Sequence, residues 1–403
     1  MLNKTGAGLI VKRELLWTIA LTVFFTINMN YDWRTGYIAW YGSLLLIAYS
    51  YFTIYKVMEI RMTPFIKWLI SFAVLGFASV FWCRSSAPVI DITKTNIVYI
   101  AVLLLMQFSI NFGYKIDTML RGYFIATVIN SIYVFMTIDV AKLGDVQIGN
   151  QMLDGWNGNG IGFMAAQGAF IGLYLCGQCK KTSGKLLYLL GMIGFSFLTF
   201  YTGSRTAFIV LLGSFVMCFW LSNPTKIVSN IIITVLVLCG VMYLVMNVES
   251  LYNVLGVRLE GLFSLFSGEG EVDSSADIRD VFIQNGKRWF AEKPIIGYGL
   301  NNYRVLNKVA TGRYTYAHNT FIELAVNLGI VGLIWYYSVY IYLGKRFISI
   351  FKNNPLNIFL FTALAVSLVS QYGTVSYYSF YQNFLLMLSF YTVTHTNKKG
   401  MIM

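Results

Sequence analysis

Charge is scarce in this chain. Asp, Glu, Lys and Arg make up 12% of its 403 residues, hydrophobic residues make up 57%, and mean hydropathy is +0.64. That balance excludes a soluble domain, which must cover its surface with polar groups. Histidine is scarcer still, with two residues, and the five cysteines give no disulfide framework. Neither an Asp-x-Asp pair nor clustered His and Cys at ligand spacing occurs, so no metal and no cofactor is expected. Cys176-Gly177-Gln178-Cys179 has a redox spacing, but it ends an apolar helix with no thioredoxin-like βαβ pattern around it. No repeat of 20 to 50 residues and no low-complexity tract is present.

Long apolar runs are abundant. Crossing about 30 Å of hydrocarbon takes roughly 17 to 25 apolar residues. Such windows fall near 15–29, 36–55, 65–83, 95–112, 119–138, 160–178, 186–201, 205–221, 227–247, 317–343, 356–372 and 377–394. We expect an all-α integral membrane protein of about 12 transmembrane helices, with one large extracytoplasmic loop between helices 9 and 10. The chain then divides into helices 1–9 over 1–247, the loop with short helices over 248–316, and helices 10–12 with a cytoplasmic tail over 317–403.

Basic residues set the orientation, because short cytoplasmic loops are enriched in Lys and Arg. With the N-terminus inside, 17 of the 30 basic residues fall in inner segments. Five fall in short outer loops, namely Arg34, Arg84, Lys94, Lys142 and Arg205, and eight in the long loop. Both termini are therefore expected in the cytoplasm and the long loop outside. The net charge of +13 is dispersed over many inner segments, which points to orientation and anionic lipid, with no nucleic-acid partner. The first apolar segment follows Lys12-Arg13 as a signal sequence does, but no small-residue cleavage site precedes the next span, so an uncleaved anchor is expected.

Within the long loop, Leu251, Leu255, Leu259, Leu262 and Phe266 fall near helical spacing and predict a helix on the outer membrane surface. Glu269-Gly270-Glu271-Val272-Asp273 concentrates acids, which suits either a solvated loop or a divalent ion. Ser274-Ser275-Ala276-Asp277 resembles a capping box. Ile278, Phe282, Asn285 and Trp289 continue at helical spacing until Glu292-Lys293-Pro294, which predicts a helix docked over the membrane domain. Arg279 and Arg288 are nine positions apart on it, about 180° apart at 3.6 residues per turn, so only one faces a given pocket. Gly297-Tyr298-Gly299-Leu300-Asn301-Asn302 is predicted to be a flexible turn, without the βαβ pattern of a phosphate loop.

His318 stands at the seam between this polar loop and an apolar run, Ala317-His318-Asn319-Thr320-Phe321-Ile322-Glu323. A lone His is often structural. At a helix start, however, the dipole opposes protonation and favours the neutral imidazole that a general base requires. Glu323, about one turn deeper, is the competing base, or else pairs with a cation at the membrane edge. Arg205, in Thr202-Gly203-Ser204-Arg205-Thr206-Ala207, begins a span. A cation there is mildly unfavourable, by about 0.3 to 1 kcal/mol, unless an anion is present. An anionic ligand and snorkelling to lipid phosphates both account for it.

Taken in order, these pieces resemble the bacterial O-antigen ligase and Wzy-type polysaccharide polymerase superfamily. The resemblance rests on Gly203-Ser204-Arg205-Thr206-Ala207, on Ile278-Arg279 with Trp289, Pro294 and Gly297-Tyr298-Gly299, and on His318-Asn319 leading into Glu323 and Gly329-Ile330-Val331-Gly332. It covers about 157 to 343. Asn157-Gly158-Asn159-Gly160-Ile161-Gly162 is similar to the family's Asn-rich start of a span, with Gly158 where Pro is frequent.

The resemblance implies transfer of oligosaccharides from undecaprenyl pyrophosphate at the outer face of the bacterial cytoplasmic membrane. It implies inversion at the anomeric centre without metal or nucleotide sugar. The catalytic residues are then His318, Arg279 and Arg205, with Asn319, Glu323 and Asn159 binding substrate. The lipid pyrophosphate is already an activated leaving group. The protein must add cations for developing phosphate charge and a base for the attacking sugar hydroxyl. Partners implied are the lipid-linked oligosaccharides, membrane lipids, and chain-length regulator and flippase proteins of the same pathway. A polymerase for capsule, exopolysaccharide or O-antigen is preferred, with a ligase that moves a finished glycan as the alternative. The span count alone also suggests a transporter or flippase, against which no matching halves with paired broken helices are found.

Overall fold

In the computed structural model, the described residues are 4–30, 34, 36–55, 62–137, 158–256, 260, 274–350 and 354–400. They are helical, with no strand among them. The helices are α1 (Lys4–Met29), α2 (Tyr37–Tyr55), α3 (Pro64–Ala78, extended by a 3₁₀ turn, Ser79–Phe81), α4 (Ser86–Asn111), α5 (Ile116–Thr137), α6 (Gly158–Gln178), α7 (Thr182–Tyr201), α8 (Arg205–Ser222) and α9 (Ile227–Asn247). They continue as α10 (Ser274–Glu292), α11 (Tyr303–Thr311), α12 (Thr320–Ile350), α13 (Pro355–Ser370) and α14 (Phe380–Gly400).

A helix lies over each of the twelve apolar windows. Nine of those described are long and apolar enough to cross a membrane, and Glu14–Met29 and Pro355–Ser370 are shorter apolar helices. The chain is an integral membrane protein. Of the predicted outer-surface helix, Glu249–Leu251 and a π turn at Tyr252–Gly256 are described, while Leu259, Leu262, Phe266 and the acidic run 269–273 lie outside the described residues.

Two compact units divide the chain, Met1–Glu59 with Phe108–Glu269, and Ile60–Gln107 with Gly270–Met403. In the first, α6 buries Ile161, Gly162, Met164, Ala165, Ala166, Gly168, Ala169 and Gly172. Small side chains let helices approach closely where lipid supplies no hydrophobic drive between them. Interhelical hydrogen bonds add specificity: Tyr123 Oη donates to Gln167 Oε1 (2.8 Å), Tyr174 Oη to Asp117 Oδ1 (2.7 Å) and Asn130 Nδ2 to the Thr26 carbonyl (3.1 Å).

The second unit is organised by a broken helix. α12 is interrupted at Gly329 (φ 63°, ψ −162°), which leaves half-helices over 320–328 and 330–350. A break inside a membrane helix strands backbone groups that lipid cannot satisfy. The segment after α10 fills it. Tyr298 N donates to the Val326 carbonyl (2.8 Å) and Gly299 N to the Asn327 carbonyl (2.8 Å). In return, Ile330 N donates to the Pro294 carbonyl (2.8 Å) and Val331 N to the Ile295 carbonyl (3.2 Å). A Cβ at Gly329 would collide with the Ile295 carbonyl, and the backbone there suits glycine in any case.

Gly297-Tyr298-Gly299 is therefore a clamped wedge, contrary to the flexible turn expected of so glycine-rich a stretch. Its other side is held by Trp82 Nε1 donating to the Ile296 carbonyl (3.0 Å), Arg84 N to the Tyr298 carbonyl (3.0 Å) and Leu300 N to Ser79 Oγ (2.8 Å). At Gly299 (φ 98°) a side chain would run into Cys83. The glycines serve close backbone approach, with flexibility as no part of their role.

Candidate functional site

α10 is a helix from Ser274 to Glu292, as its pattern predicts, and the side chains of the capping-box residues 274–277 lie outside the described residues. Its apolar stripe enters a cluster of Phe282, Trp289, Tyr298, Tyr303, Ala317 and Val326, with Ile278 and Ile322 packed against it. This seats α10 on the half-helix 320–328. Arg279 sits one turn before Phe282, on the side facing His318, and is half-buried. Arg288 lies on the outer face, with 63% of its side chain exposed, 3.9 Å from Glu292. Of the two arginines, Arg279 is the one turned toward the site.

His318 does not begin its helix. It precedes α12 by two residues and holds φ 54°, a left-handed backbone that few non-glycine residues adopt and that costs some energy. The imidazole lies between two rings, Tyr316 at 4.1 Å centroid to centroid and Phe282 at 6.4 Å and 10° interplanar. Its pKa falls to about 4, first because burial disfavours the imidazolium, then because the Arg279 and Arg304 cations repel it. The neutral imidazole expected from the sequence is present, but burial and two guanidiniums cause it where the helix dipole was invoked.

Asn319 and Glu323 build the turn that carries His318. Asn319 caps α12, its Oδ1 accepting from Ile322 N at 3.1 Å. Glu323 is fully buried, and its Oε2 accepts from Ala317 N at 2.8 Å, pinning the residue before His318 to the first turn of the helix. The other carboxylate oxygen, Oε1, is buried without a hydrogen-bond partner.

Sequence reading missed four residues around this histidine, Arg304, Tyr316, Tyr378 and Asn327. Arg304, on α11, donates from Nη2 to Tyr378 Oη (3.0 Å) and stands over the Tyr316 ring, Cζ 5.4 Å from its centre. Burial pulls its pKa down, but Tyr378 and Glu323 more than offset this and keep it above its ordinary value. Asn327 ties the layers together: its Oδ1 accepts from Tyr303 N (2.7 Å) and its Nδ2 donates to Tyr377 Oη (3.0 Å). Neither Asn327, inside an apolar run two residues before Gly329, nor Arg304, one of eight basic residues in the long loop, is marked out by the sequence.

The first unit holds the other two expected residues. α8 starts at Arg205, as read from the sequence, with Ser204 as its cap accepting from Ala207 N at 3.4 Å. Ser204 Oγ donates to Asn159 Oδ1 (2.7 Å), so the first turn of α6 and the first turn of α8 are joined through one hydroxyl. Asn159 and Arg205 thus share a polar turn in one unit, while Arg279, His318, Asn319 and Glu323 gather in the other. Among the described residues, no three of His, Cys, Asp and Glu gather as metal ligands would.

A many-spanned helical membrane protein with cations around a neutral imidazole at a helix mouth is the class these features define. Residues 190–337 match the family model described as O-antigen ligase, Wzy_C. Over those residues the match supports the O-antigen ligase and Wzy-type resemblance of the motifs. The match begins inside α7, takes in Arg205, Arg279, His318 and Glu323, and ends inside α12; Asn159 precedes it. No curated protein matches the chain.

Proposed function

We propose that this protein is an inverting, metal-independent glycosyltransferase that joins oligosaccharide repeat units carried on undecaprenyl pyrophosphate, a polysaccharide polymerase for capsule, exopolysaccharide or O-antigen. The supporting observation is a half-buried neutral imidazole held beside a half-buried guanidinium at the mouth of a broken helix. His318 takes the proton from the acceptor hydroxyl as it attacks the anomeric carbon. The bond from that carbon to the pyrophosphate oxygen breaks, and Arg279 stabilises the charge that develops there; the motif resemblance assigns Arg205 a charge role of the same kind. The ring of Tyr316 holds the imidazole, and Glu323 holds the turn. In this reading both termini are cytoplasmic and the loop carrying α10 and α11 lies at the outer face of the bacterial cytoplasmic membrane.

Ligation of a finished glycan to an acceptor uses the same chemistry, and the matching family model supports it equally. The two differ in acceptor alone. Purified protein given only lipid-linked repeat units makes chains of increasing length if it is a polymerase. Transfer of preformed glycan to a separate acceptor, with no elongation from repeat units alone, would replace that reading with the ligase.

A further inference from the structure

Arg304 is placed as a ligand-binding guanidinium is placed. Its helix is fixed at both ends, by Tyr303 N and Tyr303 Oη bonded to Asn327 Oδ1 and the Phe282 carbonyl (both 2.7 Å), and by Asn307 Nδ2 donating to the Arg313 carbonyl (2.9 Å). The guanidinium is fixed in turn by the Tyr378 hydroxyl and the Tyr316 ring. Yet its charge is not met directly. Glu323 attracts it, but the two make no ion pair within 4.0 Å, and Arg304 Nε is buried with no hydrogen-bond partner. Glu323 keeps one oxygen on Ala317 N and leaves the other without a partner. A cation and a carboxylate meant only for each other would close that distance, because a partly buried charge without contact is costly.

We propose that Arg304 binds a phosphate oxyanion beside His318, as a guanidinium of the site in addition to Arg279. Resting on the reaction above, this assigns Arg304 to the pyrophosphate of the lipid-linked donor. A guanidinium can offer a planar fork to two phosphate oxygens; with Nη2 on Tyr378, the Nε proton is the donor left without a partner. Tyr316 then serves as a positioning residue, because one ring supports both the guanidinium and the imidazole.

The test uses full-length protein in detergent with inorganic pyrophosphate as probe. His395→Gln leaves His318 the one histidine whose titration is followed by NMR. Pyrophosphate should raise the His318 pKa by offsetting the cations around it. Arg304→Gln and Arg304→Lys should weaken pyrophosphate and raise the KM for the lipid-linked donor by about tenfold or more, with melting temperature retained in the Lys variant. Arg304→Gln that lowers melting temperature but leaves pyrophosphate affinity and donor KM unchanged, with stability restored by adding Glu323→Gln, makes the pair structural and overturns the proposal. A His318 shift produced by phosphatidylglycerol micelles and not by pyrophosphate makes the ligand a lipid headgroup and overturns it too. If Arg279→Gln also leaves pyrophosphate affinity unchanged, the transfer reaction itself fails. If Arg279→Gln weakens binding and Arg304→Gln does not, only the role of Arg304 falls.

Discussion

The imidazole of His318 lies 4.1 Å from the ring of Tyr316, centroid to centroid and tilted by 38°. The side chain that would move a proton is thus braced by a neighbour two residues away, across a left-handed backbone. Orientation fixed in this way separates a base that must point at one hydroxyl from a histidine that merely fills space.

Replacing His318 distinguishes these roles. His318→Ala should lower turnover by about 10² to 10⁴, the usual scale of general-base catalysis, while donor still binds. His318→Gln should fare no better, since an amide keeps a hydrogen bond but accepts no proton. The measurement is glycan formation by purified protein with lipid-linked oligosaccharide. Near-normal rates from the Gln variant would make His318 structural and shift the base role to Glu323.

The titration of His318 has a defined sign. Its folded pKa of about 4 lies below the ordinary 6.5, with Arg279, Arg304, Tyr316 and Glu323 as the ionisable groups around it. The unfolded chain takes up the proton first, so this residue's contribution to stability is complete above about pH 6.5 and is lost as pH falls from there to about 4. Histidine NMR on the His395→Gln background should place the transition near 4, and Arg279→Gln should move it upward. A transition at 6.5 in both proteins would mean that the imidazole is solvated and far from the arginines.

The arginines should divide by helix face. Arg279→Ala and Arg205→Ala should nearly abolish glycan formation at unchanged protein level, and Lys should rescue only in part because it lacks the bidentate fork. Arg288→Ala, removing an exposed residue 3.9 Å from Glu292, should retain activity. Full activity of Arg279→Ala with loss in Arg288→Ala would place the site on the other face of α10.

Gly329→Ala should destabilise the fold by about 1 to 3 kcal/mol or more, because the backbone conformation is strained for any side chain and the Ile295 carbonyl occupies the space. Gly240→Ala, where a Cβ meets nothing within 4 Å in the middle of α9, is the control and should be neutral or mildly stabilising. Melting temperatures in detergent decide it, and equal values for both variants would refute the role given to the break.

Orientation is checked with cysteines introduced on a background free of the five native ones. A cysteine near Ser274 should react with an impermeant reagent added outside, and one near Lys180 should not. The reverse pattern would overturn the outer-face assignment.

Composition and apolar periodicity were enough to read the helices, because a membrane span is a property of a continuous window. The start of α8 at Arg205 and the run of α10 to Glu292 were legible for the same local reason. Of the residues singled out, Arg279 lies close enough to His318 to lower its pKa, and Asn319 and Glu323, expected to bind substrate, cap and pin the turn beside it. Arg304, Tyr316, Tyr378 and Asn327 were not legible, since their neighbours come from distant parts of the chain. Gly297-Tyr298-Gly299 was misread for that reason too: glycine marks both loose turns and tight contacts, and only the partner backbone tells them apart.

The wedge at Gly329 also bears on biogenesis. Residues 294–299 precede the break at Gly329 by about thirty positions, so they have already been synthesised when it leaves the ribosome, and the segment around 79–85 far earlier still. The carbonyls of Val326 and Asn327 and the amides of Ile330 and Val331 thus have their partners to hand at the moment of insertion. An interrupted helix that enters lipid bare would bear several unmet polar groups, so chain order here works as a chaperone for the break.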